Sequence, residues 1–181
     1  MKHFLLKPNP KMNHVLEGIR DITFSLRELG AEVLMEEKHR IFGEIEGIVY
    51  CSSEEAEQRA QAVLVLGGDG TILHAAHETN LPLLGINFGH LGFISELKKE
   101  EKDLFSRLTE DDFRIESRMM LRCVRVRENQ ESKPFYALND IVTSRGTGES
   151  ILRMNLLIDG VYADTYLADG LIVTTPTGST A

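Results

Sequence analysis

Apolar positions in the first 111 residues change period repeatedly. Residues 3–7 hold a short apolar block, Phe4 to Leu6, which reads as a strand. Val15, Leu16, Ile19, Ile22, Leu26 and Leu29 then recur at the three- and four-residue spacing of one helix face, and Gly30 follows as a stop. Residues 31–35 read as a second strand, 54–61 as a short polar helix, and 62–66 as a buried strand of five apolar residues. Residues 72–78 have helical character, 83–87 form another buried strand, and 98–109 close the block as a helix. Strands alternating with helices in this order imply a parallel sheet covered by helices.

The helical period stops after Asp112. Val124 and Val126 alternate with Arg125 and Arg127, while Met154, Leu156 and Ile158 alternate with Asn155, Leu157 and Asp159. The pair Asp159-Gly160 separates residues 151–158 from 161–167, a strong local signal for a tight hairpin. The expected fold is α/β, with a parallel-sheet domain over residues 1–111 followed by an antiparallel β domain over residues 112–181.

Composition narrows the partners. A formal net charge of −8 argues against nucleic acid and anionic membranes, which are met with clustered Lys and Arg. The N-terminal apolar core, Phe4 to Leu6, is too short for a signal peptide, and no stretch approaches the roughly 18 apolar residues of a membrane span. A cytoplasmic location follows as the default. Cys51 and Cys123 offer neither a disulfide framework nor a zinc spacing and read as reduced thiols.

Candidate chemistry centres on Gly67-Gly68-Asp69-Gly70-Thr71, set between the strand at 62–66 and the helix-like run at 72–78. A glycine-rich turn into a helix exposes backbone N–H groups and suits a phosphate. A carboxylate there would repel the phosphate, so Asp69 is read as a proton acceptor or a partner to Mg²⁺. A plain Asp-Gly turn is the competing reading. The loop has neither the Gly-Lys-Ser/Thr of a P-loop nor a G-x-G-x-x-G pattern. His74 and His77 stand three apart without a third ligand nearby, and no metal site is assigned to them.

Two further segments join this loop: "LLGINFGHLGFISEL" from Leu83 to Leu97 and "DGLIVTTPTGSTA" from Asp169 to Ala181. With "GGDGT" and the "ALND" of Ala137 to Asp140, they resemble, in order, the motif set of the NAD kinases. That family transfers a phosphoryl group to the 2′-hydroxyl of the adenosine ribose of NAD. The resemblance implies Asp69 as catalytic base, with Mg²⁺ on ATP and the N–H groups of Gly67, Gly68 and Gly70 around the phosphates.

Carried over by motif, Phe93 and Ile94 would line the adenine side of the substrate pocket. Asn139, Asp140 and Asp169 would bind the dinucleotide, and Thr177, Ser179, Thr180 and Ala181 would form a hydroxyl-rich substrate loop. Asp140 stands where most members have Glu, and Leu167 stands where many have Arg. In the family this last loop leads into further β-structure, so the chain is expected to be a fragment whose β domain is incomplete. Homo-oligomers are implied for the full-length protein. The alternatives are a diacylglycerol-type lipid kinase, disfavoured by "GINFGHLGF", "TPTGSTA" and the lack of a basic or amphipathic membrane-facing stretch, and a non-catalytic dinucleotide-binding fragment.

Overall fold

Apolar strands buried on both faces need helices on each side, and the computed structural model, which describes residues 1–88, 92–147 and 150–180, supplies them. Its contacts divide the chain into two units, Met1–Glu116 and Ser117–Ala181.

The first unit runs β1 (His3–Pro8), α1 (Val15–Glu28), β2 (Glu32–Glu36), β3 (Ile48–Cys51), α2 (Ser53–Arg59), β4 (Ala62–Leu66), α3 (Asp69–Glu78), β5 (Leu83–Asn87), β6 (Leu97–Lys98) and α4 (Phe105–Thr109). Its six strands are ordered β3-β2-β1-β4-β5-β6, and every neighbouring pair is parallel. Alternate residues of each strand face opposite sides. Phe4, Leu6, Leu64 and Leu66 pack with Ile19, Ile22 and Leu26 of α1 and with Phe105 of α4. Leu5, Val63 and Val65 pack on the other side with Ala56 of α2 and with Ile72 and Ala75 of α3. The helical spacing read from Val15 to Leu26 is thus the buried stripe of α1. Ser52 caps α2, its hydroxyl accepting the Glu55 N–H at 3.1 Å.

One local expectation is corrected, and one strand is new. The helix expected over 98–109 starts later and is shorter: Lys98 belongs to β6, a 3₁₀ turn spans Lys102–Leu104, and α4 has five residues. The cause is a turn closed from both ends. Glu101 accepts the Lys98 N–H on its carboxylate at 2.8 Å while its own N–H donates to the Lys98 carbonyl at 3.0 Å. The four-residue edge strand β3 was not expected, its short run Ile48 to Cys51 being too brief to carry a period.

The second unit is antiparallel and pairs its strands in twos. β7 (Leu121–Cys123) pairs with β10 (Phe135–Ala137), β8 (Val126–Arg127) with β9 (Gln130–Glu131), β11 (Asp140–Ser144) with β14 (Gly170–Thr174), and β12 (Leu152–Ile158) with β13 (Val161–Ala168). Asp159 and Gly160 turn the long hairpin with φ of 51° and 80°, the two positive values of a type I′ turn. Glu128 and Asn129 do the same at 52° and 62° without a glycine to announce it. Among the described residues no helix is long and apolar enough to cross a membrane. Cys51 and Cys123 are free thiols.

Leu64 is fully buried at the centre of β4. Leu64→Ala should lower the stability of the first unit by about 2–5 kcal/mol, read as a lower urea midpoint with an unchanged slope.

Candidate functional site

β1 and β4 lie side by side, yet the chain leaves β1 towards β2 on one flank and leaves β4 towards β5 on the other. The loops that follow them must part, and a crevice opens at the carboxyl ends of the two strands. It encloses about 600 Å³ between Lys7, Asn9 and Lys11 at the end of β1, Lys38 and His39 after β2, and Gly68, Gly70 and Thr71 after β4.

The glycines of the acid loop do different jobs. A Cβ on Gly67 would lie 2.3 Å from Thr71 Oγ1, so only glycine closes the turn. Its N–H donates to the Ile86 carbonyl at 3.0 Å, which corrects the expectation that it meets a phosphate. Gly68 caps α3 through its carbonyl, which accepts from Thr71 N–H at 2.9 Å and from Ile72 N–H at 3.3 Å. A Cβ on Gly68 or Gly70 would meet no atom within 4 Å, and neither has a positive φ. Glycine is not required there by the protein's own packing, and the space is open to a ligand. Asn9 ties the two loops together: its N–H donates to the Leu66 carbonyl at 2.9 Å and its Nδ2 to Thr71 Oγ1 at 3.2 Å.

Asp69 is the first residue of α3 and is half-buried. Its carboxylate accepts the Phe93 N–H on Oδ2 at 2.8 Å and the Ile94 N–H on Oδ1 at 3.2 Å. Each oxygen keeps a lone pair for another donor. The structure therefore brings Asp69 and Phe93 together, through the Phe93 backbone, while the Phe93 ring is 80% exposed. Ile94 is buried.

Charge in the crevice comes from residues that the sequence alone did not single out. Lys7, buried within an otherwise apolar strand, pairs with Glu78 of α3 at 2.6 Å, and Lys38 pairs with the buried Glu36 at 2.7 Å. The Lys7 hydrogen bond holds the Glu78 carboxyl below its ordinary pKa. Burial pushes Glu36 up, but Lys38, Ser53 and Lys7 outweigh it and the net shift is downward. His39 is buried, and its Nδ1 has no hydrogen-bond partner among the described residues. Burial first, and then the Lys38 charge, lowers its pKa, with Glu36 and Glu78 opposing in part. A lysine inside an apolar strand is the one signal that could have flagged this cluster.

In the second unit Asn139 stands in the link before β11, and Asp140 is the first residue of that strand, opposite Thr174. The Asn139 carbonyl accepts from Thr175 N–H at 2.8 Å and from Thr174 Oγ1 at 3.1 Å, and its buried Oδ1 has no partner among the described residues. A Cβ on Gly178 would lie 2.3 Å from that carbonyl oxygen, so the substrate-loop motif wraps around Asn139. Thr175 secures the wrap, donating to the Leu138 carbonyl and accepting from Gly178 N–H.

Thr177 Oγ1 accepts from Arg118 at 3.4 Å, and Ser179 Oγ donates to the Pro176 carbonyl at 2.8 Å. Ala181 and the side chain of Thr180 lie outside the described residues. Asp169 is not brought to this cluster, because β14 separates it from Thr175 by about 20 Å at a strand's rise. Its carboxylate pairs with Arg145 Nε at 2.7 Å, a cation supplied by the end of the partner strand β11 and unmarked in the linear sequence.

Two family models match the chain. That of the ATP-NAD kinase N-terminal domain matches residues 20–112, and that of the ATP-NAD kinase C-terminal domain matches residues 138–181. An NAD kinase of Clostridium botulinum (strain Kyoto / Type A2) is 40% identical over 154 residues, which cover 83% of this chain and 53% of the relative. The chain thus spans about half the length of the curated relatives it matches. Among solved structures, a yeast NADH kinase complexed with NADH has the same fold, with a TM-score of 0.87 at 24% identity, over 100% of this chain and 59% of its own. An NAD kinase from Archaeoglobus fulgidus in complex with ATP aligns with a TM-score of 0.63 at 26% identity, over 99% and 63% of the two chains.

The lowered pKa of His39 has a consequence for stability. As pH falls below about 6.5 the unfolded chain takes up this proton before the folded one, so stability declines until pH passes the lowered folded value. His39→Gln should flatten that decline in urea midpoints measured between about pH 7 and 5. Equal declines in the two proteins would remove His39 as its source.

Proposed function

Because the chain belongs to the NAD kinase family, we propose that it carries the site at which the γ-phosphoryl group of ATP passes to the 2′-hydroxyl of the adenosine ribose of NAD, giving NADP. The observation that carries this reading is Asp69 at the head of α3, its two oxygens each held by one amide, in sequence between Gly68 and Gly70, which line the open crevice. A ribose hydroxyl is a poor nucleophile at neutral pH. Asp69 accepts its proton as the oxygen attacks the γ-phosphorus, and the bond from phosphorus to the bridging oxygen of ADP breaks.

The crevice suits the donor. Gly68 and Gly70 let the triphosphate approach the start of α3, and Lys7, Lys11 and Lys38 supply positive charge near it. The described residues hold no cluster of three or more His, Cys, Asp or Glu, so Mg²⁺ would come as an ion carried on the triphosphate. Bound there, it neutralises phosphate charge.

Asn139 supports the dinucleotide side. A buried amide oxygen without a partner is costly unless a ligand donates to it, and an adenine or ribose group of NAD can do so. Asp140, Thr177 and Ser179 lie close to it in sequence or wrap, and the exposed Phe93 ring offers a flat face to a base. We read the protein as cytoplasmic, acting on free NAD and ATP without nucleic acid or membrane, and as a homo-oligomer at full length.

Two variants test the reading in an assay of NADP formation with Mg-ATP. Asp69→Asn keeps the shape and removes the proton acceptor, so turnover should fall about 10²- to 10⁴-fold with little change in NAD affinity. Turnover within a few-fold of wild type would overturn Asp69 as base. Asn139→Ala should weaken NAD binding by about 1–3 kcal/mol in calorimetric titration, and unchanged affinity would leave Asn139 a turn-former.

A further inference from the structure

We propose that residues 92–95 are the positioning device for the Asp69 carboxylate, Gly92 giving it room and Ser95 anchoring the amides that hold it. The proposal rests on Asp69 as the proton acceptor. A carboxylate on the first residue of a helix has several rotamers open to it, and the helix end by itself does not choose among them. Here consecutive amides, Phe93 on one oxygen and Ile94 on the other, fix both ends of the group at 2.8 and 3.2 Å. Any hydroxyl approaching Asp69 is left with the lone pairs that these amides do not take.

Gly92 is shaped by this contact. A Cβ there would lie 2.0 Å from Asp69 Oδ1 and 2.4 Å from its Cγ. The Asp69 carboxylate thus fills the space that a side chain at Gly92 would take.

The segment is in turn fastened to the end of β5. Ser95 is 8% exposed, and its Oγ accepts from Gly92 N–H at 3.4 Å and from Asn87 Nδ2 at 3.3 Å. Glu96 donates its N–H to the Gly85 carbonyl at 3.2 Å and accepts the Gly85 N–H on its carboxylate at 3.2 Å. Gly85 has no side chain to hold this segment off, since a Cβ there would stand 3.0 Å from Ser95 Cα. The next residue of β5, Ile86, takes the Gly67 N–H, so one strand locates both the loop that carries the base and the amides that aim it.

The test separates positioning from folding. In Gly92→Ala the new methyl meets the movable end of a side chain, so the urea midpoint should stay near wild type while the carboxylate is pushed off its amides. Turnover should then fall about 100-fold with KM for NAD changed by less than about threefold. Ser95→Ala should lower turnover about tenfold and speed hydrogen exchange at the Phe93 and Ile94 amides by about fivefold or more, and Ser95→Thr should restore both. In ¹⁵N spectra the Phe93 and Ile94 amide signals should move in Gly92→Ala and in Asp69→Asn alike. Unmoved amide signals in Gly92→Ala, or a turnover loss that only follows a loss of stability, would overturn the proposal. The amide signals require no turnover, so they decide it even for a wild-type protein that forms no NADP, an outcome that would sink the phosphotransferase reading alone.

Discussion

Parallel pairing of β1 with β4, from Phe4 against Ala62 to Pro8 against Leu66, fixes where the chemistry of the first unit can stand. Both strands are buried on both faces and lie at the centre of the sheet, and the chain departs from them in opposite directions. Lys7 and Asn9 therefore meet the acid loop at the carboxyl ends of the two strands. Asn9 turns that proximity into a fixed distance by bonding the end of β4 and Thr71 at once. The crevice is a consequence of strand order, and its residues matter because that order delivers them to one place.

Within the crevice, charge is kept in balance locally. A lysine within an apolar strand cannot remain ionised at low cost without a carboxylate, and Glu78 provides one from the far end of α3. Lys38 and Glu36 form a second pair of the same kind after β2. The lowered carboxyl pKa values of Glu78 and Glu36 and the lowered pKa of His39 express one environment: carboxylates steadied by lysines, and an imidazole kept neutral by burial and those same lysines.

Much of the frame was legible because its signals are local. β4 begins and ends where its apolar run does, between Gln61 and Gly67, β5 spans the residues expected of it, and Asp159-Gly160 turns the hairpin its identity implies. Asp69 stood out as an acid among glycines. What stayed hidden depends on partners distant in sequence. Lys7 and Glu78 are 71 residues apart, and nothing in either neighbourhood announces the other. Arg145 reaches Asp169 because Ser144 pairs with Gly170 across a ladder whose register no local pattern reveals. Gly67 was misassigned for a related reason: a sequence shows that an amide exists, and cannot show that Ile86 already holds it.

The central place of β1 also bears on how the protein is made. Phe4 pairs with Val33 and with Ala62, which is twice as far along the chain. Doubling a loop adds only about 0.6 kcal/mol to the entropy of closing it, so the second pairing is hardly disfavoured at equilibrium. Time is another matter. A ribosome adding about 5–20 residues per second leaves β1 without β4 for roughly 3–12 seconds. During that interval β2 is the nearest strand that can cover one edge of β1, while the other edge waits for β4.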